Sequence, residues 1–138
     1  MKNIFDFVAI IKINSLTVFN SNGDGIYSEI VSSSYSIEIL ECFKGNTKDI
    51  NSILYCYGTN YWPGELYFEN YVDILENDNV YLLFADICEN NINNTRVNSG
   101  DLIIKDNYQI ISLKNYDINK NYVKQNEEII NVIKEYIE

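Results

Sequence analysis

The stretch Tyr35-Ser36-Ile37-Glu38-Ile39-Leu40-Glu41-Cys42-Phe43 decides the fold. Tyr35, Ile37 and Ile39 fall on one face of an extended chain and Ser36 and Glu38 on the other, the two-residue period of a half-buried strand. After Ile39 the phase slips: Leu40 and Cys42 become the apolar positions and Glu41 the polar one. A one-residue slip turns every later side chain to the opposite face, so a β-bulge is expected near Ile39-Leu40. The run from Tyr27 to Phe43 is too long for an ordinary straight strand, and strands that bulge and bend are how small barrels turn corners. Lys44-Gly45-Asn46 ends it.

Upstream, residues 4–13 are rich in β-branched and aromatic side chains and read as a strand buried on most of both faces, continued through Ser15 to Phe19. Asn20-Ser-Asn-Gly-Asp-Gly25 supplies the turn between the two long strands. Downstream, Ile50 to Tyr57 is a third strand with Ile53, Tyr55 and Tyr57 on one face and Leu54 and Cys56 on the other. Gly58 and Trp62-Pro63-Gly64 break the chain, and Tyr67-Phe68 is a candidate short strand. Tyr71 to Leu75 leads into a turn at Glu76–Asn79. Val80-Tyr-Leu-Leu-Phe-Ala85 is the most apolar segment and reads as a central strand. An Asn-rich loop over 89–99 follows, and Leu102–Ile104 and Tyr108–Leu113 flank Asp106-Asn107, a hairpin-turn signal.

From about Asn119 the period changes. Tyr122, Ile129, Ile130, Ile133, Tyr136 and Ile137 share one face at helical spacing, with Lys124, Glu127, Glu128, Asn131, Lys134 and Glu135 mostly opposite. The expectation is a single mainly-β domain over residues 1–138: a barrel of about five to seven strands over roughly 3–115, and an amphipathic C-terminal α-helix over roughly 119–137 packed on the sheet.

Twenty acidic residues against ten basic ones give a net charge of −10. That charge repels phosphate backbones, so nucleic acid is not expected as a partner. It suits steering toward a basic partner, or simply a well-solvated surface. No apolar run, Phe7 to Ile11 included, is long enough to span a bilayer as a helix, so no membrane insertion is expected. Lys2 is the only early basic residue, Asp6 interrupts the apolar run and no small-residue cleavage site follows, so no signal peptide is read. The chain is expected to be cytoplasmic, or extracellular or at the cell surface if a leader precedes Met1. Cys42, Cys56 and Cys88 make no metal spacing and are odd in number; free thiols in apolar surroundings are expected.

Several phrases resemble a family of bacterial domains similar to the netrin and tissue-inhibitor-of-metalloproteinases module, an oligonucleotide/oligosaccharide-binding (OB)-like β-barrel. A first strand like Asp6-Phe-Val-Ala-Ile-Ile-Lys-Ile13 is followed in that family by a bent strand ending in "V-x-E-V-L-K-G", here Ile37-Glu-Ile-Leu-Glu-Cys-Phe-Lys-Gly45. A strand like Ile50–Tyr57 precedes "L-x-x-G-x-x-Y-L-L-F", here Leu75-Glu-Asn-Asp-Asn-Val-Tyr-Leu-Leu-Phe84, with Asp78 or Asn79 in place of the usual glycine. The resemblance covers about residues 5–115 and implies an OB-like barrel. The inhibitors of the family act through an N-terminal cysteine that this chain lacks near Met1, so protease inhibition does not carry over.

The aromatic stretch Tyr55, Tyr57, Tyr61, Trp62, Tyr67, Phe68 and Tyr71 surrounds the Pro-Gly break. Most of these rings are expected to fill the barrel and its rim. Tyr61 and Trp62, beside Pro63, are expected at the surface, and with Tyr67, Glu65 and Glu69 they form the candidate contact site for a protein or glycan. Asn20, Asn22 and Asp24 echo half of an EF-hand loop, but Val31 stands at the twelfth position where a bidentate Glu is needed. A plain turn is the favoured reading, with a weak cation site including Glu29 as the alternative. Asp73, Glu76 and Asp78 read as solvated turn carboxylates rather than a catalytic pair. With no histidine the chain lacks the usual general base and commonest metal ligand, so no enzyme, cofactor or metal is expected. The expected function is a non-catalytic binding module acting through the Trp62 loop; the alternative is an acidic cytoplasmic inhibitor, of the immunity-protein kind, that masks a basic partner.

Overall fold

Strands that bulge can curl until the sheet meets itself, and here they do. The computed structural model describes residues 5–21, 30–56, 59–60, 72–73, 75–90, 97–113, 116 and 131. Among them run β1 (Phe7–Ser21), β2 (Ile30–Lys44), β3 (Ile53–Cys56), β4 (Thr59–Asn60), β5 (Val72–Asp73), β6 (Val80–Ile87), β7 (Leu102–Ile104) and β8 (Ile110–Ser112). Five of these close a barrel in the order β1-β2-β3-β7-β6, with β6 returning to pair with β1. All its pairings are antiparallel except β3 with β7, which is parallel.

The expected bulge is present. Ile10 lies opposite Glu41 and Ile11 opposite Ile39, which leaves Leu40 as the extra residue on β2. Two further register shifts leave Phe43 extra on β2 and Asn14 extra on β1. Each bulge sharpens the local twist, so β1 bonds β2 along its whole length while Phe7–Lys12 also bond β6.

The barrel interior is built from alternate positions of every strand, as the pleat dictates. Phe7, Ala9, Ile11 and Ile13 of β1, Tyr35 and Ile37 of β2, Leu54 and Cys56 of β3, Tyr81, Leu83 and Ala85 of β6, and Leu102 and Ile104 of β7 form one buried cluster. Large faces small across the β1–β6 seam: Phe7 is opposite Ala85 and Ala9 opposite Leu83, which lets the inward side chains mesh in a narrow bore. Ser33, fully buried, is hydrogen-bonded with the Cys56 thiol. Each fully buried large apolar side chain contributes roughly 1.5–3 kcal/mol relative to exposure.

A second cluster sits outside the barrel on β1 and β6. Val8, Ile10, Leu82 and Phe84 point outward and are nevertheless fully buried; Phe5 and Leu113, also buried, and the half-buried Leu40, Phe43, Val80, Ile111 and Tyr116 pack with them. β1 and β6 are therefore apolar on both faces, which is why 4–13 and 80–85 read as continuous hydrophobic runs.

One mouth of the barrel is stoppered by Leu75, which is buried. The phenol oxygen of Tyr35 accepts from the Leu75 N–H at 3.0 Å, and that of Tyr81 from the Glu76 N–H at 3.1 Å. Two interior tyrosines thus serve the backbone of the chain crossing the opening. At the other end Gly45 turns with φ +96°, and a Cβ there would lie 2.7 Å from the Phe7 ring and 3.0 Å from the Asp6 carbonyl oxygen. That approach explains the glycine after Lys44.

One expectation is not met as stated. β7 and β8 form no hairpin across Asp106-Asn107: both run antiparallel to β6, β7 at Asp86–Ile87 and β8 at Tyr81–Leu83, end to end along one edge. Gln109 enforces this. It is buried in the 3-10 turn Asn107–Gln109, its Oε1 accepts from the N–H groups of Lys105 and Asp106, and its Nε2 donates to the Phe84 carbonyl at 3.0 Å. The side chain serves the β6 backbone in the gap between the two short strands. The amphipathic helix expected over 119–137 lies outside the described residues apart from Asn131, and no α-helix is delimited among those described. The candidate strand at Tyr67-Phe68 is also outside them.

Gly45→Ala is expected to lower unfolding stability by about 2 kcal/mol or more, through left-handed strain and the clash with Phe7, read as a lower urea midpoint at unchanged slope. Tyr35→Phe is expected to cost about 1–3 kcal/mol, because it leaves the Leu75 N–H buried without an acceptor; a midpoint equal to wild type would remove the stopper from the account.

Candidate partner-binding surface

The aromatic segment chosen from the sequence springs from a defined base. β4 and β5 form a parallel two-residue ladder, Thr59 with Val72 and Asn60 with Asp73, and β4 lies beside β2. The two ends of residues 61–71 are thereby brought together at the barrel wall. Tyr61, Trp62, Glu65, Tyr67, Phe68, Glu69 and Tyr71 themselves lie outside the described residues, as does Tyr57.

Tyr55 is described and is not available for contact. It points out from β3 and is buried with Cys88 and Val97, against Ile103. The segment over it is fastened from below by Asn51. Its Nδ2 donates to the Ser99 carbonyl at 2.7 Å and to Asp101 Oδ1 at 3.0 Å, and its backbone N–H to the Gly100 carbonyl at 3.0 Å. Asp101, almost wholly buried, accepts from the Asn98 N–H through Oδ2 at 2.8 Å. Gly100 turns at φ +92°, where a Cβ would sit 2.9 Å from the Asn51 amide. Beyond Tyr55 the outer face of β2 is small and polar: Ser34 and Ser36 half-buried, Glu38 exposed. Among the described residues this face carries no exposed ring for a base to stack on.

Of the half-EF-hand residues, Asn22, Asp24 and Glu29 lie outside the described residues, and Asn20 is placed only as a β1 position opposite Val31. Among the described residues no group of three or more Cys, Asp or Glu side chains converges to hold a metal.

The described carboxylates are dispersed rather than paired for catalysis. Glu76 and Asp78 are exposed on the turn before β6, where Glu76 Oε2 accepts from Asn79 Nδ2 at 3.1 Å. Asp78 has φ +67°, a left-handed conformation that Asp tolerates better than most residues. The Asp73 side chain is outside the description. At the opposite end of β6, Asp6 Oδ2 accepts from the Ile87 N–H at 3.2 Å. Partial burial, reinforced by the neighbouring Asp6 charge and only partly offset by Lys105, pushes the Asp86 carboxyl above its ordinary value. Asp6, Glu38, Asp49, Glu76, Asp78, Asp86 and Glu89 are exposed, against Lys48 and Lys105 among the exposed described cations, so the acidic charge is displayed around the barrel.

All three cysteines are free. Burial pushes the Cys56 thiol far up, against a smaller lowering by its Ser33 hydrogen bond. Burial also raises the exposed Cys42 thiol, opposed by its bond to the Lys44 carbonyl. Neither is poised as a thiolate nucleophile.

No protein-family model matches the chain, and no curated protein matches its sequence. Sequence reasoning missed the Asn51–Asp101 clamp and the packing of Tyr116 beside β8; the Ser99-Gly100-Asp101 turn signal was the one hint available for the first.

Raised in the folded state, the Asp86 pKa favours the neutral acid, so its ionisation weakens the fold as pH rises through that folded value, and stability is recovered below the ordinary carboxylate range. Asp86→Asn is expected to melt above wild type at neutral pH, with the gap closing as pH falls into that range. A constant gap across the titration would show that the charge is not the cause.

Proposed function

We propose that this chain is a non-catalytic binding module on an OB-like barrel similar to the netrin module, and that it contacts a protein or glycan through the segment containing Tyr61, Trp62, Glu65, Tyr67 and Glu69. The observation that carries the contact site is the β4–β5 ladder, which fixes both ends of that segment beside β2. A rigid base lowers the ordering cost that a displayed loop meets on binding, and Trp and Tyr are the residues most often found at the energetic centre of an interface.

Support for the OB-like description comes from the closed order β1-β2-β3-β7-β6, the parallel β3–β7 pair and the bulged first strand shared between two neighbours. Two backbone details favour the netrin-like resemblance. Gly45, which closes the first family phrase, needs both its positive φ and its missing Cβ. The glycine position of the second phrase falls on Asp78, which is left-handed here.

A second reading is favoured by the display of carboxylates around the barrel: an acidic inhibitor that masks a basic partner, with attraction accelerating their encounter. Its signature is an association rate that falls steeply with added salt.

Trp62 is the only tryptophan, so intrinsic fluorescence reports on it alone. A contact residue is expected to emit like solvated indole, to be quenched by acrylamide in the free protein and to be protected by a bound partner. Trp62→Ala is expected to weaken a partner identified by binding screens about ten-fold or more while leaving the melting temperature unchanged. Blue-shifted emission that acrylamide cannot reach would place the ring in the core and sink the proposal.

A further inference from the structure

The turn before β6, the end of β8 and Tyr116 enclose a surface cavity of about 320 Å³ lined by Asp78, Asn79, Val80, Ser112, Leu113 and Tyr116. Leu113, buried, and Val80, half-buried, supply its apolar part. Its polar groups are biased toward acceptance. Asp78 is an exposed carboxylate and accepts only. Asn79 spends one N–H of its Nδ2 on Glu76 and keeps the other N–H and its carbonyl oxygen. The Ser112 and Tyr116 hydroxyls accept as readily as they donate. Among the described residues no lysine or arginine lines it.

The wall is also held in place. The Asp78 N–H donates to the Ile13 carbonyl at 2.7 Å, the Ile13 N–H to the Asn79 carbonyl at 3.1 Å, and the Leu113 N–H to the Val80 carbonyl at 2.9 Å. These bonds tie both sides of the cavity to β1 and β6. A carboxylate and neutral acceptors beside the apolar Val80 and Leu113 suit a donor-only cation carried on an aliphatic stem. A neutral sugar can use the hydroxyls and the carboxamide but leaves the Asp78 charge without a counter-charge.

We propose that this cavity receives a lysine or arginine side chain of a basic protein partner, with Asp78 as its counter-ion. The assignment rests on the reading of the chain as an acidic protein that masks a basic one, and gives that reading a specific seat.

The test is an NMR titration with N-acetyl-arginine amide and N-acetyl-lysine amide, against N-acetyl-norleucine amide and a neutral monosaccharide. The cationic probes are expected to shift the Leu113 methyl and the Ser112 and Tyr116 amide signals saturably, more weakly as salt is added, while the neutral probes leave them in place. Asp78→Asn is expected to weaken the cations about three- to five-fold, the range of an exposed ion pair. Asp78→Gly, which relaxes the left-handed backbone, is expected to weaken them equally while melting at or above wild type. Equal binding by wild type and Asp78→Asn, shifts confined to other signals, or saturation by the monosaccharide alone would overturn the assignment. A poly-lysine titration separates the two levels. If poly-lysine binds wild type and Asp78→Asn alike, the cavity is wrong and the acidic reading stands; if it fails to bind wild type at low salt, both fall.

Discussion

Pairing of β1 with β2 on one side and β6 on the other is the constraint from which the remaining structure follows. A strand bonded on both sides, in a sheet that closes on itself, must twist and tilt more than a regular ladder allows. The extra residues at Asn14, Leu40 and Phe43 supply that freedom. Because the seam is closed, Phe7, Ala9, Ile11 and Ile13 meet a surrounding wall rather than a flat layer, and alternating large and small partners across β1 and β6 become necessary. Because β1 is also covered outside, its intervening residues Val8 and Ile10 are apolar as well.

Much of this was legible in the residues, and the reason is local. Alternation through Tyr35, Ile37 and Ile39 followed by the slip at Leu40 is a one-residue event, and the ladder places the extra residue at that point. Ile53 and Tyr55 were separable from Leu54 and Cys56 by the same two-residue period. What failed was non-local. Asp106-Asn107 carries a turn signal that serves a 3-10 turn as well as a hairpin, and the choice is made by the reach of Gln109 to Phe84, 25 positions back. Nothing in the immediate neighbourhood of Gln109 announces it. Likewise Tyr35 and Tyr81 read as core rings, and their hydroxyl partners at Leu75 and Glu76 depend on where a distant turn crosses the barrel mouth.

The candidate site divides along the same line. The aromatic content between Thr59 and Val72 is visible as composition, whereas its anchorage is a pairing between residues far apart in the chain. Tyr55, grouped with those aromatics by proximity in sequence, belongs instead to the packing beneath residues 97–101, held there by Asn51. The cavity at Asp78 joins a turn to residues more than thirty positions later, so no window of sequence contains it.

The Gln109 amide has a consequence for how the wall yields. Over most of the barrel, separating neighbouring strands means breaking several backbone bonds together, a concerted and costly step. Between β7 and β8 the seam is held to Phe84 by one rotatable side chain. Local opening should therefore begin there, exposing the Phe84 carbonyl to water while the rest of the ring stays shut. The protein thus has a built-in weakest stave, set by a single carboxamide.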